Sequence, residues 1–146
     1  MYDDVLLPTD GSDGTTTVAA HAASLAQAND ARIHVLSVAD ARNRFESPSS
    51  GLAGEAWEEA ERERATAAVD TVVAALPEDA PVEREVVADV PHEAILERAR
   101  DGTVDAIVMG THGRTGLDHY LIGSVAERVV RQSPVPVMTV RVGDGE

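Results

Sequence analysis

The sequence predicts an α/β fold in which five strands form a single, doubly wound parallel sheet with four helices. Three observations point there. Short, nearly unbroken apolar runs at Val5-Leu6-Leu7, Ile33 to Val38 and Ala106 to Met109 read as strands covered on both faces. Apolar residues at helical spacing fill the stretches between them. The two patterns alternate strictly along the chain, and right-handed crossovers between parallel strands are the economical way to join them.

The elements follow in order. Val5-Leu6-Leu7 is stopped by Pro8. After Asp10-Gly11-Ser12-Asp13-Gly14 comes a helix with Val18, Ala22, Leu25 and Ala26 on one side, ended by Asn29-Asp30. Ile33 to Val38 is strand two. Asp40 to Gly54, polar and rich in Ser, Gly and Arg, reads as a mobile loop. A long helix follows, with Trp57, Ala60, Ala68, Val69, Val72, Val73 and Leu76 on its apolar side, closed by Pro77. Its charged run from Glu58 to Arg64 reads as a solvated face. Val82 to Val87 alternates as a more exposed strand. Pro91 opens a helix carrying Ala94, Ile95, Leu96 and Ala99, and Gly102 stops it. Ala106 to Met109 is strand four, and Ser124 to Gln132 is a helix with Val125, Ala126, Val129 and Val130 inward. Val137 to Val142 is the last strand.

Composition bounds the function. The 146 residues are expected to form one domain, 1–146, with roughly 70% of the unfolded chain's surface buried. The hydrophobic fraction of 43% supports a core, and 3% aromatics means that Val, Leu, Ile and Ala must build it. Lys+Arg number 12 against 26 Asp+Glu, a net charge of -14. That balance opposes general binding to nucleic acid or to an anionic membrane, both of which need basic surface. Every basic residue is arginine, and the cysteine count is 0, so a thiolate zinc site and a cysteine nucleophile are excluded. Met1-Tyr2-Asp3-Asp4 lacks a basic, apolar leader, and a cytoplasmic location is expected. Dense carboxylates without lysine suit a high-salt cytoplasm, where screening tames their repulsion. Drift towards a GC-rich genome is the plainer source of the same composition.

Two glycine-bearing loops lie where such a sheet binds ligands, beyond the carboxyl ends of its strands. They are Pro8-Thr9-Asp10-Gly11-Ser12 after strand one and Gly110-Thr111-His112-Gly113-Arg114-Thr115-Gly116 after strand four. The second runs on into Gly123-Ser124 at a helix start. A helix N-terminus offers unpaired amides and partial positive charge, and glycines let backbone approach a phosphate. The plainer alternative is that the glycines shape turns and Ser124 caps the helix. A P-loop is excluded because it needs lysine, and no Gly-x-Gly-x-x-Gly follows strand one.

Gly110-x2-Gly113-x9-Gly123-Ser124 resembles, position by position, the Gly-x2-Gly-x9-Gly-Ser/Thr signature of the ATP-binding universal stress proteins. The opening Val-Leu-Leu-Pro-Thr-Asp-Gly-Ser is similar too, as are Ile-His-Val-Leu-Ser-Val, Val-Asp-Ala-Ile-Val-Met-Gly-Thr-His-Gly-Arg and Ser-Pro-Val-Pro-Val-Met-Thr-Val-Arg. The resemblance covers essentially the whole chain and implies a Rossmann-like, adenine-nucleotide-binding fold. By position it implies that Pro8, Thr9 and Asp10 line the nucleotide site and that the backbone of Val38 meets adenine. It further implies Gly110 and Gly113 along the ribose and phosphates, with Gly123, Ser124 and Val125 cradling the phosphates; Met109, His112 and Arg114, beside those glycines, complete the expected binding set. ATP with Mg²⁺ (or Mn²⁺), held through the phosphates, is the implied ligand. A homodimer through the edge strand Val137 to Val142 is the implied assembly, and a bare apolar edge invites such pairing. Asp89 departs from the glycine that many relatives carry before the Pro-opened helix.

Some roles stay open on sequence. Asp10 either faces the ribose hydroxyls or a Mg²⁺-bound water, or fixes its loop through backbone amides. Arg114 either meets a phosphate or pairs with a surface carboxylate. His112 either donates to a phosphate or braces the turn. His21 and His34 read as packing or surface residues. Three functions compete: a nucleotide-binding stress sensor or switch, a slow ATPase or nucleotidyl- or phosphotransferase, and a dimeric interaction module without nucleotide. No base for a hydrolytic water emerges, which places the switch first.

Overall fold

The computed structural model describes residues 1–12, 14–40, 54–111 and 123–142. Nine elements alternate along them: β1 (Asp4–Pro8), α1 (Thr15–Asn29), β2 (Arg32–Asp40), α2 (Gly54–Ala75), β3 (Val82–Asp89), α3 (Pro91–Arg100), β4 (Ala106–Gly110), α4 (Ser124–Gln132) and β5 (Val137–Val140). The strands form one five-stranded sheet in the order β3-β2-β1-β4-β5, and every adjacent pair is parallel. The sheet therefore grows outward from β1, to β2 and β3 on one side and to β4 and β5 on the other. The reversal between β1 and β4 is the switch point that opens a crevice at the carboxyl edge.

Side chains alternate across a strand, and the buried runs divide accordingly. Val5, Leu7, Ile33, Val35 and Val108 face a core completed by Val18, Ala19, Ala22 and Ala26 of α1 and by Val69 and Val72 of α2. Leu6, Leu36, Val38, Ile107 and Met109 face the other core, with Ala94, Ile95, Leu96 and Ala99 of α3 and Ala126 and Val129 of α4. This is why β1, β2 and β4 read as continuous apolar runs. β3 lies at the edge with three successive exposed residues, Glu83 to Glu85, as its alternating charges predict.

Local chemistry ends the elements where expected. Asp30 takes a left-handed conformation (φ 56°) after α1, Pro91 occupies the first turn of α3, and Gly102 (φ 85°) follows that helix. Four expectations need correcting. Ala60, read on the apolar side of α2, is exposed. Asp40 and Gly54, read as loop, belong to the end of β2 and the start of α2, since backbone pairing with Asp89 carries β2 two residues past Val38. Val130 is 49% exposed rather than inward, because α4 is short and the sheet and α3 cover only a narrow stripe of it. Val142 lies beyond the hydrogen-bonded part of β5, although it is buried. The rest of the loop before α2, residues 41–53, lies outside the described residues, as does the side chain of Trp57.

Candidate functional site at the carboxyl edge

Three segments meet the carboxyl edge of the central strands. The first is the loop after β1. Thr9 continues the ladder by donating its N–H to Leu36 O at 2.8 Å. The chain then turns on itself. Gly11 N donates to Thr9 Oγ1 (3.3 Å), Ser12 N to Asp10 Oδ1 (3.0 Å), and Thr15 Oγ1 to Ser12 O (2.7 Å). One carboxylate oxygen of Asp10 thus braces its own loop. Gly11 has φ 80°, and a Cβ there would stand 3.3 Å from Ala68 Cβ, so the loop passes closely over α2. The small, buried side chain of Ala68 permits that approach.

The second segment is the end of β2. Leu36 O points towards β1, because it accepts from Thr9. Backbone groups in a strand alternate direction, so the N–H and C=O of Val38 point the same way, past the end of β1 at Pro8. Val38 is nearly buried, and its carbonyl accepts a hydrogen bond from Arg64 Nη2 at 3.0 Å.

The third segment joins β4 to α4. Met109 is buried and Gly110 partly exposed at the end of β4. Thr111 then binds both neighbours: its N–H donates to Val140 O (3.0 Å), its Oγ1 accepts from Val142 N (3.3 Å), and its carbonyl accepts from Gly123 N (2.6 Å). Gly123 is thereby held at the N-cap of α4, and Glu127 N closes the first helical turn on Gly123 O at 2.9 Å. Among the described residues no side chain caps α4 by hydrogen bond. Ser124 is exposed at the first helical position, so the reading of Ser124 as a cap does not hold. The amides at 124–126 belong to the set that a helix cannot satisfy internally. His112, Gly113 and Arg114 lie outside the described residues.

The structure thus places Pro8, Thr9, Asp10, Val38, Met109, Gly110, Gly123, Ser124 and Val125 at the carboxyl edge, on β1, β2, β4, α4 and their loops. Among the described residues no group of three or more His, Asp or Glu could hold a metal ion. Sequence reasoning misses two participants. Thr111 reads only as loop, and Arg64 reads as part of a solvated face. Arg64 instead reaches Asp10 O and Val38 O, and it is only 24% exposed. A glutamate three residues before an arginine is a common surface pair, and nothing local distinguishes this one.

A doubly wound sheet whose switch point lies beside the start of α4 defines an α/β protein with a crevice at its carboxyl edge. The family model described as "Universal stress protein family" matches residues 1–141, and the chain belongs to that family. It is 37% identical to universal stress protein MJ0531 of Methanocaldococcus jannaschii over 97% of this chain and 83% of that protein. Among solved structures it resembles the protein MJ0577, with 30% identity, a TM-score of 0.74 and 99% of both chains covered. It also resembles a universal stress protein solved in complex with cAMP, with 25% identity, a TM-score of 0.64 and 97% and 98% coverage.

Proposed function

We propose that this universal stress protein binds an adenine nucleotide, ATP with Mg²⁺ (or Mn²⁺), and acts as a nucleotide-dependent sensor or switch in the stress response. The carrying observation is the signature Gly110-x2-Gly113-x9-Gly123-Ser124, whose two ends fall at the end of β4 and the start of α4. Amides at 124–126 would receive phosphate oxygens, and Gly110 and Gly123 present no side chain to obstruct them. Pro8, Thr9 and Asp10 would line the ribose side, with Val38 offering backbone groups to the base. The cAMP-bound relative supports an adenine nucleotide as the class of ligand.

No chelating cluster exists among the described residues, so the divalent cation fits as a companion of the phosphates rather than as a chain-bound ion. Bound there, it would neutralise phosphate charge, which matters in a protein of net charge -14. Holding ATP by amides needs no base for an attacking water, so binding proceeds without efficient turnover. The chain acts as one domain and works as a homodimer through the β5 edge, in a cytoplasm of high salt. Denaturing the purified protein and analysing the supernatant by mass spectrometry tests the ligand. Adenine nucleotide in near-stoichiometric amount is expected, and a different class of small molecule in that amount would overturn the reading.

A further inference from the structure

One side chain joins two parts of this crevice that lie far apart in sequence. Arg64 Nη1 donates to Asp10 O at 3.0 Å, and Arg64 Nη2 donates to Val38 O at 3.0 Å. The same guanidinium pairs with Glu61, Nε to Oε1 at 3.2 Å and Nη2 to Oε2 at 3.3 Å. The side chains of Arg64 and Glu61 are 24% and 13% exposed. By contrast, the pair between Arg84 of β3 and Asp70 of α2 is 56% and 61% exposed. Arg64 is therefore built into the fold from α2, and its planar fork spends donors on two backbone carbonyls at once.

We propose that Arg64 is a positioning residue for the nucleoside end of the site: it sets the spacing between the Asp10 loop and Val38. The proposal rests on the adenine-nucleotide reading and adds a residue that its signature does not contain. The hydrogen bonds of Gly11 and Ser12 lie within the loop and fix its shape, and Thr15 at the start of α1 holds its far end at Ser12 O. Thr9 anchors its root to β2. Arg64 anchors its crest, at Asp10, to the carbonyl that faces the same space beyond β1. Glu61 orients the fork, and close packing of Gly11 on Ala68 brings α2 within reach. A loop held in place before the ligand arrives need not lose that freedom on binding, so the clamp acts through preorganisation.

The test compares wild type with Arg64→Met, Arg64→Lys and Glu61→Gln, titrating each with adenosine and with ATP plus Mg²⁺ in molar KCl. Circular dichroism establishes that each variant is folded. Arg64→Met is expected to weaken both ligands by the same factor, about ten-fold or more for the loss of charge-assisted bonds. Arg64→Lys is expected to recover part of the loss, since an ammonium keeps the charge but not the fork. Glu61→Gln is expected to weaken both ligands less than Arg64→Met does. Three results would overturn the proposal: ATP binding to Arg64→Met as tight as wild type or tighter, a loss confined to ATP, or full recovery by lysine. Backbone ¹⁵N relaxation of Gly11 and Ser12 separates the clamp from the ligand. Faster motion in Arg64→Met than in wild type supports the clamp even if no nucleotide binds, and unchanged motion overturns it.

Discussion

A Cβ on Gly14 would stand 2.7 Å from the Cβ of Val142. The N-cap residue of α1 and a residue two positions beyond β5 are therefore in direct contact, although 128 positions separate them in sequence (142 − 14). Val142 also donates its amide to Thr111 Oγ1. The chain beyond β5 thus locks the segments after β1 and β4 together, and these are the segments that carry the candidate site.

Gly14 is required twice over, for its φ of 89° and for the space that Val142 fills. Gly14→Ala is expected to destabilise the fold by roughly 2 kcal/mol or more, from left-handed strain plus overpacking. Gly102 is the control. Its φ is 85°, but nothing lies within 4 Å of the point where a Cβ would stand, so Gly102→Ala should cost about 1 kcal/mol from strain alone. Urea midpoints check both, with an unchanged slope expected. Equal losses in the two variants would show that the contact with Val142 carries no energy.

How much of this was legible in the sequence depends on how local each signal is. The bounds of α4 were readable because Gly-Ser at its start and Gln-Ser-Pro at its end are local punctuation. β1, β2 and β4 were readable because burial on both faces leaves no polar alternation to confuse them. Val130 misled because helical spacing reports an apolar arc but not how much of that arc the neighbours cover. Arg64 was illegible for a deeper reason. Its partners are carbonyls of Asp10 and Val38, which every residue possesses, so no side-chain pattern could announce them. Pro8, Thr9 and Asp10 were legible as a loop beyond a strand, whereas the Asx brace from Asp10 to Ser12 was one of two open readings.

Glu85 on β3 and Arg98 on α3 form a two-pronged pair, Nε to Oε1 at 2.9 Å and Nη2 to Oε2 at 2.6 Å. The hydrogen bonds from Arg98 hold the Glu85 carboxyl below its ordinary value of 4.5, against the opposing effect of partial burial. A depressed folded value means stability that is present above the ordinary value and is lost as pH falls through the depressed one. Glu85 is half exposed, so solvent limits the effect to at most about 1 kcal/mol. Wild type should therefore exceed Glu85→Gln in stability at neutral pH, and the gap should close as pH falls below the ordinary value of 4.5 and through the depressed one. A gap that persists unchanged in acid would contradict this assignment.

The net charge of -14 predicts that salt stabilises the fold. Raising KCl from about 0.1 M to 1 M shortens the screening length from about 10 Å to about 3 Å, which suppresses repulsion among the carboxylates. The thermal midpoint should rise steadily over that range. Full stability in dilute buffer with no gain in molar KCl would remove the case for a high-salt habitat.

β5 is the outermost strand on its side of the sheet, and Met138 on it is 41% exposed. An edge of this kind is a template for pairing with a second copy, and two-fold symmetry closes such an assembly. Light scattering in high salt should give twice the 15.4 kDa chain mass. Met138→Glu should then shift the population to monomer by placing like charges across the two-fold axis. A monomeric wild type would contradict the proposed interface.

Calorimetric titration of wild type and Gly123→Val with ATP and Mg²⁺ in molar KCl decides whether backbone amides at the start of α4 hold a nucleotide without a single lysine. Gly123 has φ −66°, which valine tolerates, so the variant should fold while its side chain blocks the approach of phosphate. Saturable binding of one ATP per chain is expected in wild type, with a loss of about ten-fold or more in Gly123→Val. Equal ATP affinity in the two proteins, or no binding by wild type, would contradict that role for the helix start.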